Sequence, residues 1–148
     1  MSHTYVSTFV HCVFSTKNRV HGIPPAVQPD LWAYIGGIAR ANAAKAMAVG
    51  GTDNHVHVLL SVPSIMSVAR AVQLIKGGSS KWLHDEHKLT CEWQEGYGAF
   101  TVGMSQVPRT IKYISSQPEH HHTLSFEDEF VAFLKKHDIA YDPKFVFG

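Results

Sequence analysis

Two short stretches hold the residues best suited to chemistry: "HVHVLL" at 55–60 and "YISSQ" at 113–117. On a strand, side chains alternate between faces, so His55 and His57 share one face, about 7 Å apart, while Val56, Val58 and Leu60 share the other. Two imidazoles so placed can converge on one divalent cation. A pair is an incomplete site, because a catalytic metal ordinarily has three protein ligands and an open position. Taken alone, the pair reads equally well as the polar face of a strand near a sheet edge.

The second stretch lies in "QVPRTIKYISSQ", which has helical spacing. At 100° per residue, Val107, Ile111 and Ile114 form one apolar stripe. Tyr113 and Gln117, four apart, share a side away from the centre of that stripe, with Gln106 near the same direction. Alone, this helix reads more simply as a rim aromatic and a solvated amide. Together the two stretches suggest a reaction. His55, His57 and the Gln117 oxygen would hold a divalent ion that polarises a phosphodiester. Tyr113, one turn from a ligand, would attack phosphorus. A phenol of ordinary pKa near 10 is a poor nucleophile at neutral pH, and proximity to a bound phosphate offsets part of that deficit. The phosphotyrosine bond would conserve energy, so breakage and rejoining need no ATP.

Positioning these groups falls to a regular series of elements. "TYVSTFVHCVFSTKN" (4–18) is rich in β-branched and aromatic residues and predicts a long first strand. "DLWAYIGGIARANAAK" predicts a helix starting near Pro29, and "KAMAVGG" a second strand. "GGTDN" is a turn, and "HVHVLLSV" a third strand ended by Pro63. Ser64 or Ser67 caps a helix through "VARAVQLIKGGSSKWLHDEHK", where Gly77 and Gly78 suggest a kink or a close approach. "EWQEGYGAFTVG" leads into a fourth strand. Ser105 then caps the tyrosine helix and Pro118 closes it, and Ser125 with Asp128 opens a last helix. This order predicts an α+β, ferredoxin-like split βαβ domain spanning 1–148. Its antiparallel sheet would carry helices on one face, leaving the other to a partner, a ligand or water, with the tyrosine-bearing helix added toward the C-terminus.

Bulk properties narrow the class. A 148-residue chain with 45% hydrophobic residues can bury its own core. A net charge of +1 gives no support to bulk nucleic-acid binding, so any basic surface must be local. There is no apolar run of membrane-spanning length, and the first residues read as a strand rather than a signal peptide. Cys12 and Cys91 form no metal or redox motif, which fits a reduced, cytoplasmic protein. Histidine, at 11 residues, is the unusual count. Of the run His120, His121 and His122, His120 lies three residues past Gln117 and is favoured as a support to the site, with phosphate or solvent contacts for the other two. His84 and His87 read as a helix surface, and His11 as a sheet residue near the site.

The chain resembles the HUH single-tyrosine transposases of very small bacterial insertion sequences and their REP-associated relatives. "NHVHVLLSVP" is similar to the family's His-hydrophobic-His strand, and "VQLIKGGSSKWL" to its following helix. "EWQEGYGAFTVGMSQV" and "IKYISSQPEHH" resemble its late segment with the nucleophile. The likeness runs through nearly the whole chain. It implies single-strand DNA cleavage and rejoining, with His55, His57 and Gln117 as ligands of magnesium or manganese and Tyr113 forming a 5′-phosphotyrosine. It also implies hairpin recognition and a homodimer in which the tyrosine helix often completes the neighbour's site. Imidazole ligands suit manganese better than magnesium.

On that footing Arg70, Lys76, Ser79, Ser80 and Lys81, with Lys17 and Arg19, are candidates to line a hairpin-binding surface through phosphate contacts. Without the resemblance they read as a solvated helix face. Trp93 and Tyr97 are weak candidates for base stacking, and Trp82 for core. Two other functions stay open: a non-catalytic hairpin binder, and a metal nuclease that uses water.

Overall fold

The computed structural model describes residues 3–147. Strands β1 (Phe9–Ser15), β2 (Lys45–Gly51), β3 (His55–Ser61) and β4 (Gly98–Val102) form one antiparallel sheet in the order β2-β3-β1-β4. This is the split βαβ arrangement that the element order predicts. The first strand is shorter than 4–18, and beyond it Thr16 makes only an isolated bridge to Trp93. Lys17–Arg19 form a single tight turn, with Asn18 and Arg19 at positive φ.

Helices α1 (Gln28–Ala41) and α2 (Val68–His87) pack on one face. Val10, Cys12 and Phe14 of β1 and Val56, Val58 and Leu60 of β3 meet Leu31, Ile35, Ala71, Val72, Ile75 and Leu83 there. Full burial of each large aliphatic side chain contributes on the order of 1.5–3 kcal/mol, which makes this layer the main support of the sheet. Ser67 caps α2, its side chain accepting from the Arg70 N–H. Gly78 marks a close approach: a Cβ there would stand 2.8 Å from Ile38 Cδ1 of α1, whereas Gly77 faces open space.

The opposite face is covered by the chain's own C-terminal part. It bears α3 (Val107–Ser115), α4 (Gln117–His120) and α5 (Phe126–Lys136). Leu59 packs with Val107 and Ile114, while Val13 and Phe100 pack with Phe126, Phe130 and Leu134. The apolar residues interspersed with the histidines make this face too hydrophobic to leave in water.

Two expected helix signals act differently. Ser105 lies in a single 3-10 turn (Met104–Gln106) and makes no cap, because that turn rather than a side chain starts α3. α3 stops at Ser115, three residues before Pro118, which itself falls in the first turn of α4. Proline has no N–H, so it cannot donate back to the Ile114 carbonyl four residues earlier, and the helix breaks there. Ser125 caps α5 by accepting from the Asp128 N–H at 3.1 Å. Among the described residues, no helix is long and apolar enough to cross a membrane.

Candidate active site

The strand ladder fixes where the two histidines stand. His57 lies between Val13 of β1 and Gly50 of β2, and His55 is opposite Ser15. Both rings are fully buried beneath α3, α4 and α5. His55 Nδ1 is 2.8 Å from Asn54 Oδ1 and 3.0 Å from Thr52 Oγ1, so the turn before β3 orients the ring. Its Nε2 is 2.8 Å from Gln117 Oε1. His57 Nδ1 is 2.8 Å from His11 Nε2, and its Nε2 is 3.0 Å from Glu129 Oε1.

Glu129 is the residue that sequence reasoning missed. It is only 2% exposed, yet it touches nearly every other group in the cluster. One oxygen faces His57 and, at 3.2 Å, His121 Nε2. The other accepts from the Tyr113 hydroxyl and, at 3.1 Å, from Gln117 Nε2. A signal was present in the sequence: Phe126, Phe130 and Leu134 form the buried stripe of α5, and Glu129 falls inside it. A carboxylate in an apolar stripe needs partners, and this face of the sheet supplies them.

The histidine run also needs correction. His121, not His120, joins the cluster: its Nε2 is 3.0 Å from Gln117 Oε1. His121 lies four residues after Gln117 and its backbone N–H donates to the Gln117 carbonyl, which brings the two side chains to one side. His120 instead packs its ring against Tyr113, centroids 4.6 Å apart, with Nε2 3.3 Å from Ser116 Oγ. Tyr113 stands beside His57, ring centroids 5.8 Å apart, within the same chain.

Donor atoms of His55, His121 and Glu129 lie within 4.8 Å of one another. The Gln117 oxygen sits between the two imidazoles. Two ligands at about 2.1 Å from a common ion and at right angles are about 3 Å apart. The contacts of 2.8 to 3.2 Å seen here, with His55 Nε2 3.7 Å from Glu129 Oε1, make a mixed nitrogen and oxygen donor set that could hold a divalent cation. His57, expected as a ligand, lies with its Nε2 3.0 Å from the same Glu129 oxygen that faces His121.

Electrostatics favour this role. Burial, then the neighbouring His57, lowers both His55 and His11 to about 3. Both are neutral at pH 7, with lone pairs available. Burial alone would raise Glu129, but hydrogen bonds from His121 and His57 outweigh it and hold the carboxyl well below the usual range. Burial, reinforced by Glu129, pushes the Tyr113 phenol up.

The residues nominated to contact DNA are largely occupied. Ser79 is fully buried, donating to Ile75 O and accepting from Trp93 Nε1, so it is withdrawn as a surface contact. Lys76 is tied to the carbonyls of Gln94 and Gly96 at 2.7 Å each, and so secures the approach to β4. Lys17 pairs with Glu92, Lys81 with Asp85, and Arg70 with Gln73. Arg19 lies over Phe147 and donates to its carbonyl. Ser80 is half-buried. Trp93 packs on Phe14, which removes it from base stacking, while Tyr97 is exposed. His84 faces Cys91 O and His87 faces Trp82, so they form no pair.

The profile of the family described as "Transposase IS200 like" matches residues 4–117. No curated protein matches the chain. A crystal structure of a candidate transposase from Deinococcus radiodurans R1 is similar at 23% identity and a TM-score of 0.59, over 79% of this chain and 96% of that one. A REP-associated tyrosine transposase bound to a REP hairpin is similar at 16% identity and a TM-score of 0.59, over 100% of this chain and 95% of that one. At these identities the two likenesses concern the fold.

Proposed function

The chain belongs to the IS200-like transposase family, and from that premise we propose that it cuts and rejoins single-stranded DNA through Tyr113. The observation that carries the reading is one buried cluster in which Tyr113, His57 and Gln117 share the Glu129 carboxylate, with His55 on Gln117. His55, Gln117, His121 and Glu129 would hold a divalent cation, magnesium or manganese, with His57 holding the carboxylate. When bound, the cation would polarise the phosphodiester and orient it.

The protein's own groups do the rest. Tyr113 donates to Glu129, which aims the phenol oxygen beside the donor cluster. Glu129, held at low pKa, is a weak base, so in this arrangement it orients the hydroxyl rather than deprotonating it. Attack would form a bond between the phenol oxygen and phosphorus while the bond from phosphorus to the 3′ oxygen breaks. The phenolic proton would leave to water, and the 3′ oxygen would depart as a hydroxyl by taking a proton from water. The 5′-phosphotyrosine then retains the energy for rejoining.

The resemblance implies a homodimer, yet Tyr113 reaches the histidines of its own chain here, and this supports action in cis. We place the protein in the cytoplasm with the hairpin-bearing DNA on which it acts, as one domain. The test uses a labelled hairpin oligonucleotide from the DNA flanking the gene, with manganese. Label should stay on the protein after denaturation, and be lost in Tyr113→Phe and in His57→Ala. Cutting without an adduct would replace this reading with a water-using nuclease. Binding without cutting would replace it with a non-catalytic hairpin binder. A mixture of the two variants that regains the adduct would overturn action in cis.

A further inference from the structure

Beside the buried cluster, a cleft of about 410 Å³ opens to solvent between β4, α3 and α5. Tyr113 and His11 belong to both: they contact the cluster on one side and line the cleft on the other. Arg109 lies one helical turn before Tyr113, and Lys136 one turn after Phe133, and both line the cleft. No acidic residue lines it. Among the described residues, the Arg109 and Lys136 side chains are exposed and have no ion-pair or hydrogen-bond partner, unlike the cations nominated from the sequence. Two unpaired cations at one opening are a local concentration of charge in a chain whose net charge is only +1. Phe133 adds an apolar wall; it is stacked on Phe100 and edge-on to Tyr113.

We propose that this cleft grips the DNA strand next to the phosphate presented to Tyr113, with Arg109 and Lys136 on backbone phosphate and the flanking nucleotide against Phe133. The inference rests on the reading of Tyr113 as the nucleophile, which sets where the reacting phosphate lies. Cations contact phosphate without reading sequence, so the cleft holds the strand in place and leaves its choice to other features. The cleft also gives the strand access to a tyrosine whose partner histidines are sealed from solvent.

The test measures binding of a fluorescent single-stranded oligonucleotide from the gene's flank, in EDTA so that no cutting occurs, across a salt series. Arg109→Ala and Lys136→Ala should each weaken binding roughly 3- to 10-fold and flatten the salt dependence by about 0.7 per lost phosphate contact. Arg40→Ala, which removes the same charge from exposed α1 across the sheet, should do neither. Thermal melts check that all three variants fold. Wild-type affinity and slope in both cleft variants would overturn the proposal, as would an equal loss in Arg40→Ala or no binding by the wild type. Failure of the tyrosine reading looks different: the cleft variants lose binding, yet the wild type with manganese forms no covalent adduct. Adduct formation at the wild-type rate in both cleft variants would overturn the cleft and leave the tyrosine chemistry standing.

Discussion

Replacing Gly50 by alanine tests how the tyrosine is delivered. Gly50 lies on β2 directly opposite His57, and α3 passes over it. A Cβ at Gly50 would stand 2.5 Å from the Ile114 carbonyl oxygen and 3.0 Å from Ile114 Cγ2. Ordinary contact begins near 3.4 Å, so α3 must retreat by about 0.9 Å. The obstacle is backbone, which has no rotamer to yield. Overpacking of this kind costs about 1–3 kcal/mol, or roughly 2–12 °C in melting temperature for a chain of this length. Ile114 adjoins Tyr113 and lies one turn before Gln117, so a rigid retreat carries both away from the histidines. Misplacement by about 1 Å can cost about 100-fold in rate. Single-turnover adduct formation on the labelled hairpin should therefore slow about 100-fold in Gly50→Ala while the protein stays folded. Gly77→Ala is the control: its Cβ meets open space in a helix, so it should stabilise by about 0.5–1 kcal/mol and leave the rate unchanged. Adduct formation at the wild-type rate with an unchanged melting temperature in Gly50→Ala would refute the seating of α3 on β2 as the device that positions Tyr113.

Glu129→Gln keeps the shape and removes the charge; it should weaken manganese binding by about 10- to 100-fold in calorimetry. The same change should lower the Tyr113 pKa, seen by ultraviolet titration of the phenol, because burial then acts without the neighbouring carboxylate. Without metal, stability should fall between pH 7 and pH 5. His11 and His55 titrate near 3 when folded and near 6.5 when unfolded, so their contribution is present above 6.5 and is lost as pH falls toward 3. The loss is about 2 kcal/mol per imidazole over that interval, and an unchanged urea midpoint would contradict the burial of these rings. Glu129, with its depressed pKa, adds a further loss only below its unfolded value of about 4.5. Manganese at about 100 times its dissociation constant should raise stability by about 2.7 kcal/mol, and magnesium should do no better at equal concentration. A larger shift with magnesium would count against a nitrogen-rich donor set.

The sequence by itself determined the order of the four strands and the main helices, and the face of the sheet on which the histidines lie. Period-two alternation in "HVHVLL" puts Val56, Val58 and Leu60 on the α1–α2 side and both imidazoles on the other, whatever the rest of the chain does. The four-residue spacing of Tyr113 and Gln117 was equally local, and residue type marked the cap at Ser125 and narrowed the cap of α2 to Ser64 or Ser67, of which Ser67 caps. The tertiary structure decided what meets those residues. Glu129 reaches His57 across 72 positions, and only the packing of Phe126, Phe130 and Leu134 on Val13 and Phe100 brings it there. The choice of His121 over His120 depended on where Pro118 breaks the helix and thus on the phase of one short turn. The state of each residue nominated to contact DNA was likewise a matter of neighbours: Lys76 and Ser79 look like surface residues in a linear reading, and partners for both come from the segment between α2 and β4. Alternation and helical phase are properties of consecutive residues, so a sequence carries them openly. Which groups share a buried carboxylate, and which lysines remain unpaired, depends on contacts between distant segments that form only as the chain folds.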